Sequence, residues 1–312
     1  MQTQKPNAIV PSALNRREML LRTGAVALGL GLSTWPMMTS AQSKTRKVLF
    51  FSKSSGFEHS VIQRKGAEPS FAERTLAELG PKQGIQFHFS KDGSRFTKEY
   101  LEGFDAYAFY TTGDLTTPGT DKQPPMTAAG KTALLEAIHN GKGFIGIHSA
   151  TDTFHTAEAA NATGYQNDGD KTDPFIQMVG AEFISHAQQQ KAAQRVADAK
   201  FAGLPAKDFE LMEEWYSFKN FARDLHVLLV QDTTGMNGKP YQRPPYPATW
   251  ARLHGRGRVF YTSLGHREDV WTNPLFEAIL FGGIAWATGD ATADVAPNIE
   301  KVTPGYPDLP PK

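Results

Sequence analysis

Two short runs restrict this fold more than anything else in the chain: Val48-Leu49-Phe50-Phe51 and Phe144-Ile145-Gly146-Ile147, apolar throughout and without alternation. A strand that is apolar at every position is buried on both faces, and such strands belong to parallel sheets covered by helices. The segments between the two runs fit that layout. Phe71, Leu76 and Leu79 repeat at near-helical spacing until Gly80-Pro81, which predicts a helix ending there. Residues 85–89 alternate as a second strand and 106–110 read as a third. Residues 126–139 carry Leu134, Leu135 and Ile138 on one helical face before Asn140-Gly141, a pair suited to a C-cap. The β-α-β-β-α-β alternation predicts an α/β fold with a doubly wound, mostly parallel sheet.

The second half is strand-rich, with runs at 209–212, 227–230, 248–253 and 259–262. Asn237-Gly238 and Gly255-Arg256-Gly257 read as turns between them. Neither is a dinucleotide loop, because the G-x-G-x-x-G spacing and a following helix are missing. A last helix is expected from Asn273-Pro274 through Phe276, Ile279, Leu280 and Ile284 to Gly289. Residues 291–312 form a Pro-rich tail, expected to be extended or loosely packed. The polar stretch 156–173 reads as a loop inserted beside the fourth strand.

The formal charge of +1 over 312 residues conceals an uneven distribution. Residues 1–41 hold Lys5, Arg16, Arg17 and Arg22 against Glu18, a net of +3, which leaves −2 for the rest. A small, apolar stretch from Thr23 to Trp35 follows, closing on Thr39-Ser40-Ala41. Positive region, short apolar region and small-x-small site together predict a signal peptide, and Arg16-Arg17 resembles a twin-arginine signal. The expected organisation is a leader at 1–41, a linker at 42–46, a domain at 47–290 and the tail. The expected location is the periplasm or outside, with no membrane span once the leader is removed. The chain has no cysteine, which excludes disulfides, thiolate metal sites, iron–sulfur clusters and cysteine nucleophiles. The near-neutral balance speaks against a nucleic-acid partner.

In open α/β sheets, ligands bind outside the carboxyl ends of the strands. After the first strand comes Ser52-Lys53-Ser54-Ser55-Gly56-Phe57-Glu58-His59, and after the third Thr111-Thr112-Gly113-Asp114. After the fourth comes His148-Ser149-Ala150-Thr151-Asp152, and after Val259-Phe260-Tyr261-Thr262 comes Ser263-Leu264-Gly265-His266. Four runs thus deliver small residues with His or Asp to one sheet edge.

The stretch from Gly143 through His148 to Thr153 resembles the signature of the ThuA-like (trehalose utilisation) family. So do Gly180-Ala181-Glu182-Phe183 with His186, Glu213-Glu214-Trp215-Tyr216, and the run from Gly255 to His266. The resemblance covers residues 47–289, in the family's order. It implies a flavodoxin-like sheet similar to class I glutamine amidotransferases, and a role in bacterial sugar metabolism. Three departures stand out. Amidotransferases carry a Cys nucleophile in a Gly-x-Cys-x-Gly elbow, whereas the matching stretch here is Gly146-Ile147-His148-Ser149-Ala150, which excludes thiolate glutaminase chemistry. The segment after His186 lacks the family's His-Pro pairs. Glu213 stands where Asp is common.

His148 and Asp152, four apart, would share one helical face and could share a metal ion or a sugar hydroxyl; the alternative is a His bonded to a capping Asp. His186 follows Phe183-Ile184-Ser185 at an expected strand end, and His266 follows Gly265, where the backbone approaches closely. Strand alternation would turn Glu213 and Glu214 to opposite faces, one into the pocket and one into solvent. The expected catalytic set is His148, Asp152, Glu214 and His266. Asp114, His59, Trp215 and Tyr216 are expected to bind substrate, the aromatic pair by stacking on a sugar. A divalent metal, zinc or similar, is expected on His148, His186 and His266. Ser149 misses the third position of Gly-x-Ser-x-Gly, which disfavours a serine hydrolase. His88, His139, His226 and His254 read as surface or capping residues, and the sequon Asn161-Ala162-Thr163 as chance. The expected activity is hydrolysis, elimination or isomerisation of a disaccharide or 3-keto sugar, with an exported sugar dehydrogenase as partner. The alternative is a non-catalytic carbohydrate-binding or accessory subunit of such a system.

Overall fold

The computed structural model describes residues 44–155 and 166–312. The expected leader and the sequon at Asn161-Ala162-Thr163 lie outside the described residues. Strand β1 (Arg46–Phe51) is the expected apolar run, with Val48 to Phe51 buried. Helix α1 (Phe71–Leu79) starts at a capping box in which Ser70 accepts from the Glu73 amide while Glu73 accepts from the Ser70 amide. Then follow β2 (Ile85–Ser90), α2 (Lys98–Glu102), β3 (Ala106–Phe109), α3 (Ala128–His139) and β4 (Gly143–Ile147). Helix α2, absent from the expected pattern, is five residues long, too short to show a helical period.

The second half contributes α4 (Pro174–Val179), β5 (Glu182–Ser185), β6 (Gln190–Val196), β7 (Phe209–Glu213), β8 (Ser217–Lys219) and β9 (His226–Gln231). It ends with β10 (Tyr246–His254), β11 (Gly257–Thr262), α5 (Glu268–Trp271), α6 (Pro274–Thr288) and α7 (Ile299–Val302). Nine strands form one sheet in the order β2-β1-β3-β4-β11-β10-β9-β6-β7, and β5 pairs with β8 apart from it. From β2 to β11 all pairings are parallel; from β11 to β7 all are antiparallel. The expected α/β fold with a mostly parallel sheet and a strand-rich second half is therefore present. β6 escaped sequence reading because its buried positions are Ala192 and Gln194 rather than large apolar residues. There Gln194 Nε2 donates to Gln231 Oε1 at 2.7 Å.

Helix α6 is apolar nearly all round, as a helix between sheet and further chain should be. Gly283 lets it close on the sheet: a Cβ there would stand 2.5 Å from the Phe260 ring of β11. Of the polar stretch 156–173, residues 156–165 lie outside the described residues; the stretch ends where Asp173 caps α4 and Pro174 opens it. The tail differs from expectation. Asn298 binds the backbone of Val227 on both sides, and His226 Nδ1 donates to Ala296 O at 2.7 Å. Ile299, Thr303 and Tyr306 are buried. His226 is thus a buried tie for the tail rather than a surface residue. Among the described residues no helix is long and apolar enough to cross a membrane.

Burial of Ile299 at the end of the chain makes the tail part of the core. Ile299→Ala should lower the unfolding free energy by about 2–4 kcal/mol, read from the urea midpoint, whereas a loose tail would give no change.

Candidate functional site

Because β1, β3, β4 and β11 are parallel neighbours, their carboxyl ends open on one edge. Three histidines reach that edge, each by a different local device. His59 caps a 3₁₀ turn (Ser60–Ile62) in the loop beyond β1 and is buried. His148 directly follows β4, with its backbone in the left-handed region at φ 44°, and is also buried. That conformation is strained for a residue with a Cβ and persists only where its surroundings enforce it. His266 follows Gly265 beyond β11. Gly265 has φ 116° and offers its carbonyl to Trp271 Nε1 at 2.7 Å and Tyr110 Oη at 3.1 Å. A fourth segment, the end of β7 and the residue after it, brings Glu213 and Glu214.

His59, His148, Glu214 and His266 each present one ligand-type atom, and these four atoms lie within 4.8 Å of one another. The hydrogen bonds assign the protons. His148 Nδ1 faces Ser263 O at 2.8 Å; a carbonyl only accepts, so Nδ1 carries the hydrogen and Nε2 is bare. That Nε2 stands 3.3 Å from His266 Nδ1 and 3.6 Å from Glu214 Oε2. Glu214 Oε2 is 3.1 Å from His266 Nδ1, and its Oε1 is 3.3 Å from His186 Nδ1. His59 Nε2 approaches Tyr216 Oη at 3.4 Å, while its Nδ1 is buried with no hydrogen-bond partner.

Burial, then the neighbouring imidazoles, push His59 well below its ordinary pKa. Burial also lowers His148, and outweighs the Glu214 contact. For His266 burial works in the same direction, but the Glu214 carboxylate overrides it and the pKa rises. Burial would raise Glu214, yet the His148 and His266 imidazoles hold it well below the usual carboxylate range. The outcome is two neutral imidazoles, one imidazole that charges readily, and one carboxylate anion. Glu213 lies behind them, fully buried. Its Oε2 accepts from the amides of Gly265 at 2.9 Å and His266 at 3.2 Å, and its Oε1 from the Glu214 amide at 2.9 Å. Burial nevertheless pushes its carboxyl up to about 7.

The sequence profile of the family described as ThuA, trehalose utilisation, matches residues 47–287. This chain belongs to the ThuA family. Among solved structures, a ThuA-like protein from Bacteroides uniformis is similar at a TM-score of 0.57 and 18% identity, over 86% of this chain and 100% of that one. A second, from Parabacteroides merdae, gives a TM-score of 0.51 and 15% identity over the same shares. No curated protein sequence matches. At these identities the structures establish the fold, which agrees with the flavodoxin-like, amidotransferase-like sheet that the motifs imply.

In this ThuA chain the four-atom group keeps His148 and His266 of the expected metal set, omits His186, and adds His59 and Glu214. His59 takes part, although it was expected only to touch substrate. His186, expected as a ligand, is two-fifths exposed and stands outside the group, against Glu214. It lines a cleft of about 610 Å³ with Ala187, Gln188, Gln189 and Glu214. Asp152 does not share a face with His148. Residues His148–Asp152 form a 3₁₀ turn, in which positions four apart diverge by about 120°. Neither Glu213 nor Glu214 points to solvent, because β7 ends at Glu213 and alternation stops there. Trp215 is a core residue, its Nε1 donating to Gln190 O at 2.9 Å, so it offers no face to a ligand. Tyr216 packs its ring 4.2 Å from that of His148 and forms the buried floor of the group. Asp114 is exposed and accepts from the amide and hydroxyl of Thr116, apart from the histidines. The Ser149 hydroxyl is buried without a partner.

His155 was not singled out by sequence. It lies between two carboxylates, Nε2 at 2.5 Å from Asp152 Oδ1 and Nδ1 at 3.0 Å from Glu182 Oε1. Burial would lower its pKa, but the two acids raise it to about 9. A folded value above the unfolded 6.5 means that the stabilisation is complete below about pH 6.5 and is lost as pH rises through about 9. His155→Gln should therefore cost about 1–3 kcal/mol at pH 6 and much less above pH 9.5, measured by urea unfolding across that range. A constant difference between the two proteins would contradict the doubly paired imidazolium.

Proposed function

We propose that this protein is an exported, periplasmic member of the ThuA family that holds one divalent transition metal, zinc or similar, on His59, His148, Glu214 and His266. Its substrate in this reading is a disaccharide or 3-keto sugar, delivered by a sugar-oxidising dehydrogenase. The observation that carries the reading is the group of three imidazoles and one carboxylate, two of them buried and two partly buried, at the carboxyl edge of the parallel sheet. The donor set fits such an ion: nitrogen-rich, with one carboxylate, and with the His59 Nδ1 lone pair or proton otherwise unmatched. The Nδ1–H of His148 on Ser263 O is the outer hydrogen bond that fixes which nitrogen a ligating histidine presents. A bound ion would act as a Lewis acid on a sugar carbonyl or hydroxyl and lower the pKa of water.

The chain's own groups account for the rest. Glu213 is a positioning residue: through the Gly265 and His266 amides it fixes the loop that carries His266. His186 Nδ1 faces two acceptors, Ala187 O at 3.0 Å and Glu214 Oε1, so it holds the proton and leaves Nε2 basic. On an exposed ring at the cleft, that Nε2 can take a proton from a sugar hydroxyl or carbon and return it to the product.

Protein purified and dialysed against zinc should hold one ion per chain by elemental analysis. His148→Ala and His266→Ala should each weaken binding by 10-fold or more. Because His266 must lose its proton to ligate, affinity should fall by up to tenfold per pH unit below its pKa. Disaccharides and their 3-keto forms should be turned over by the loaded protein and not by His148→Ala. A chain that takes up no stoichiometric metal would overturn the metal-centred reading, and binding without turnover would leave a carbohydrate-binding subunit.

A further inference from the structure

Among the described residues, three large apolar side chains are markedly exposed: Phe57 at 69%, Leu253 at 52% and Met212 at 42%. Leu253 and Met212 lie on strands β10 and β7 with no ring contact to the histidine group, and single exposed apolar residues of that kind are ordinary. Phe57 is different in place. Its ring meets that of His59 edge-on, centroids 5.0 Å apart, and the His59 ring is 5.1 Å from His148 and 5.2 Å from His266. This exposed aromatic ring is therefore in contact with one member of the group.

The loop that presents Phe57 is held on both sides. The Ser55 and Gly56 amides donate to Thr112 O at 2.8 and 3.2 Å, and the Thr112 hydroxyl donates to Phe57 O at 2.9 Å. Thr120 Oγ1 donates to Gly56 O at 2.5 Å, and Glu58 pairs with buried Lys91 at 2.9 Å. The backbone that carries the ring is thus fixed on both sides, and the ring itself rests edge-on against His59. Rigid placement of this kind favours binding, because the ordering cost is not met at the moment of association.

We infer that Phe57 is a substrate-contact residue that stacks on the apolar C–H face of a pyranose ring and sets that ring beside His59 and the group behind it. A gluco-configured pyranose presents axial C–H bonds on its faces and hydroxyls around its rim. An aromatic face next to a polar cluster matches both at once. The inference rests on the sugar reading of the site and adds the residue that selects a six-membered ring. Phe57 offers no ligand atom to the metal-type group, so zinc content measured beside sugar affinity separates a lost sugar contact from a disturbed His59.

The test uses the mature, zinc-loaded protein with trehalose and its 3-keto form as probes, in calorimetric titrations of wild type, Phe57→Ala and Phe57→Trp. Phe57→Ala should weaken sugar binding about tenfold, equivalent to about 1.4 kcal/mol, at unchanged zinc content. Phe57→Trp should restore it. The same variant supplies a direct readout. Trp215, Trp250, Trp271 and Trp286 are all buried, so iodide quenching specific to Phe57→Trp over wild type reports the introduced indole. Saturating sugar should shield it from iodide. Equal sugar affinity in wild type and Phe57→Ala, or quenching unchanged by bound sugar, would overturn the stacking role while leaving the sugar reading intact. A wild type that binds neither probe would remove the sugar reading and the stacking with it. Sugar binding without metal would uphold the stacking alone.

Discussion

The ionised carboxylate of Glu214 is what permits three imidazoles to gather at the buried edge of this sheet. Three histidines whose nitrogens lie within 4.8 Å of each other cannot share more than about one proton, since each added charge is both desolvated and repelled. One buried anion balances one imidazolium, and the contacts say which: His266, nearest to Glu214 Oε2, is raised, while His59 and His148 are lowered. Without Glu214 all three would be driven neutral and would compete for the few buried donors around them. With it, the neutral pair keeps its bare nitrogens and the third ring supplies the proton that holds the group together.

That carboxylate comes from an unexpected direction. β7 is the far edge of the nine-stranded sheet, four strands from β11, so a flat sheet would put it roughly 19 Å away. Yet Glu213 Oε2 lies 2.9 Å from the Gly265 amide that follows β11. The antiparallel half must roll over the edge, and the pairing of β9 with β10 shows where the bending is placed. Register shifts leave Ala248 and Leu228 without partners, and irregularities of that kind increase local twist. The parallel half therefore supplies the histidines, and the curled half closes over them with Glu213 and Glu214.

This division also explains what could be read from the sequence. The parallel half was legible because β1 from Val48 to Phe51 and the whole of β4 are apolar, and strand direction alone then placed the loops carrying His59, His148 and His266 on one edge. The Glu213-Glu214 pair was visible as a motif, but its destination depended on a bulge and a roll that leave no periodic signal. The reading of Asp152 failed because a spacing of four implies one face only in an α-helix, and the chain there turns as a 3₁₀ helix. Trp215 failed for a related reason. Aromatic residues beside a carboxylate look alike in sequence whether they face a ligand or the core, and the bond from its Nε1 to Gln190 O belongs to the core. His186 and His59 exchanged roles because exposure, not motif position, separates a ring that can join a buried group from one that guards its entrance.

The turn at His148 follows from the same economy of geometry. A sharp turn from a central parallel strand into a helical turn projects one side chain at the carboxyl edge, at the cost of a left-handed backbone for that residue. Nothing in that geometry requires the projected atom to be a nucleophile. It requires only a side chain whose far end is useful once the near end is fixed. Imidazole suits this, because one nitrogen can be tied to Ser263 O while the other faces the site, which a thiol or hydroxyl cannot do. With no cysteine in the chain, the turn offers no thiolate, and its left-handed backbone instead places a lone pair among two further imidazoles and a carboxylate. Strain at His148 is then understandable as the means by which Nε2 is aimed, and the amides bound by Glu213 as the means by which His266 is brought to meet it.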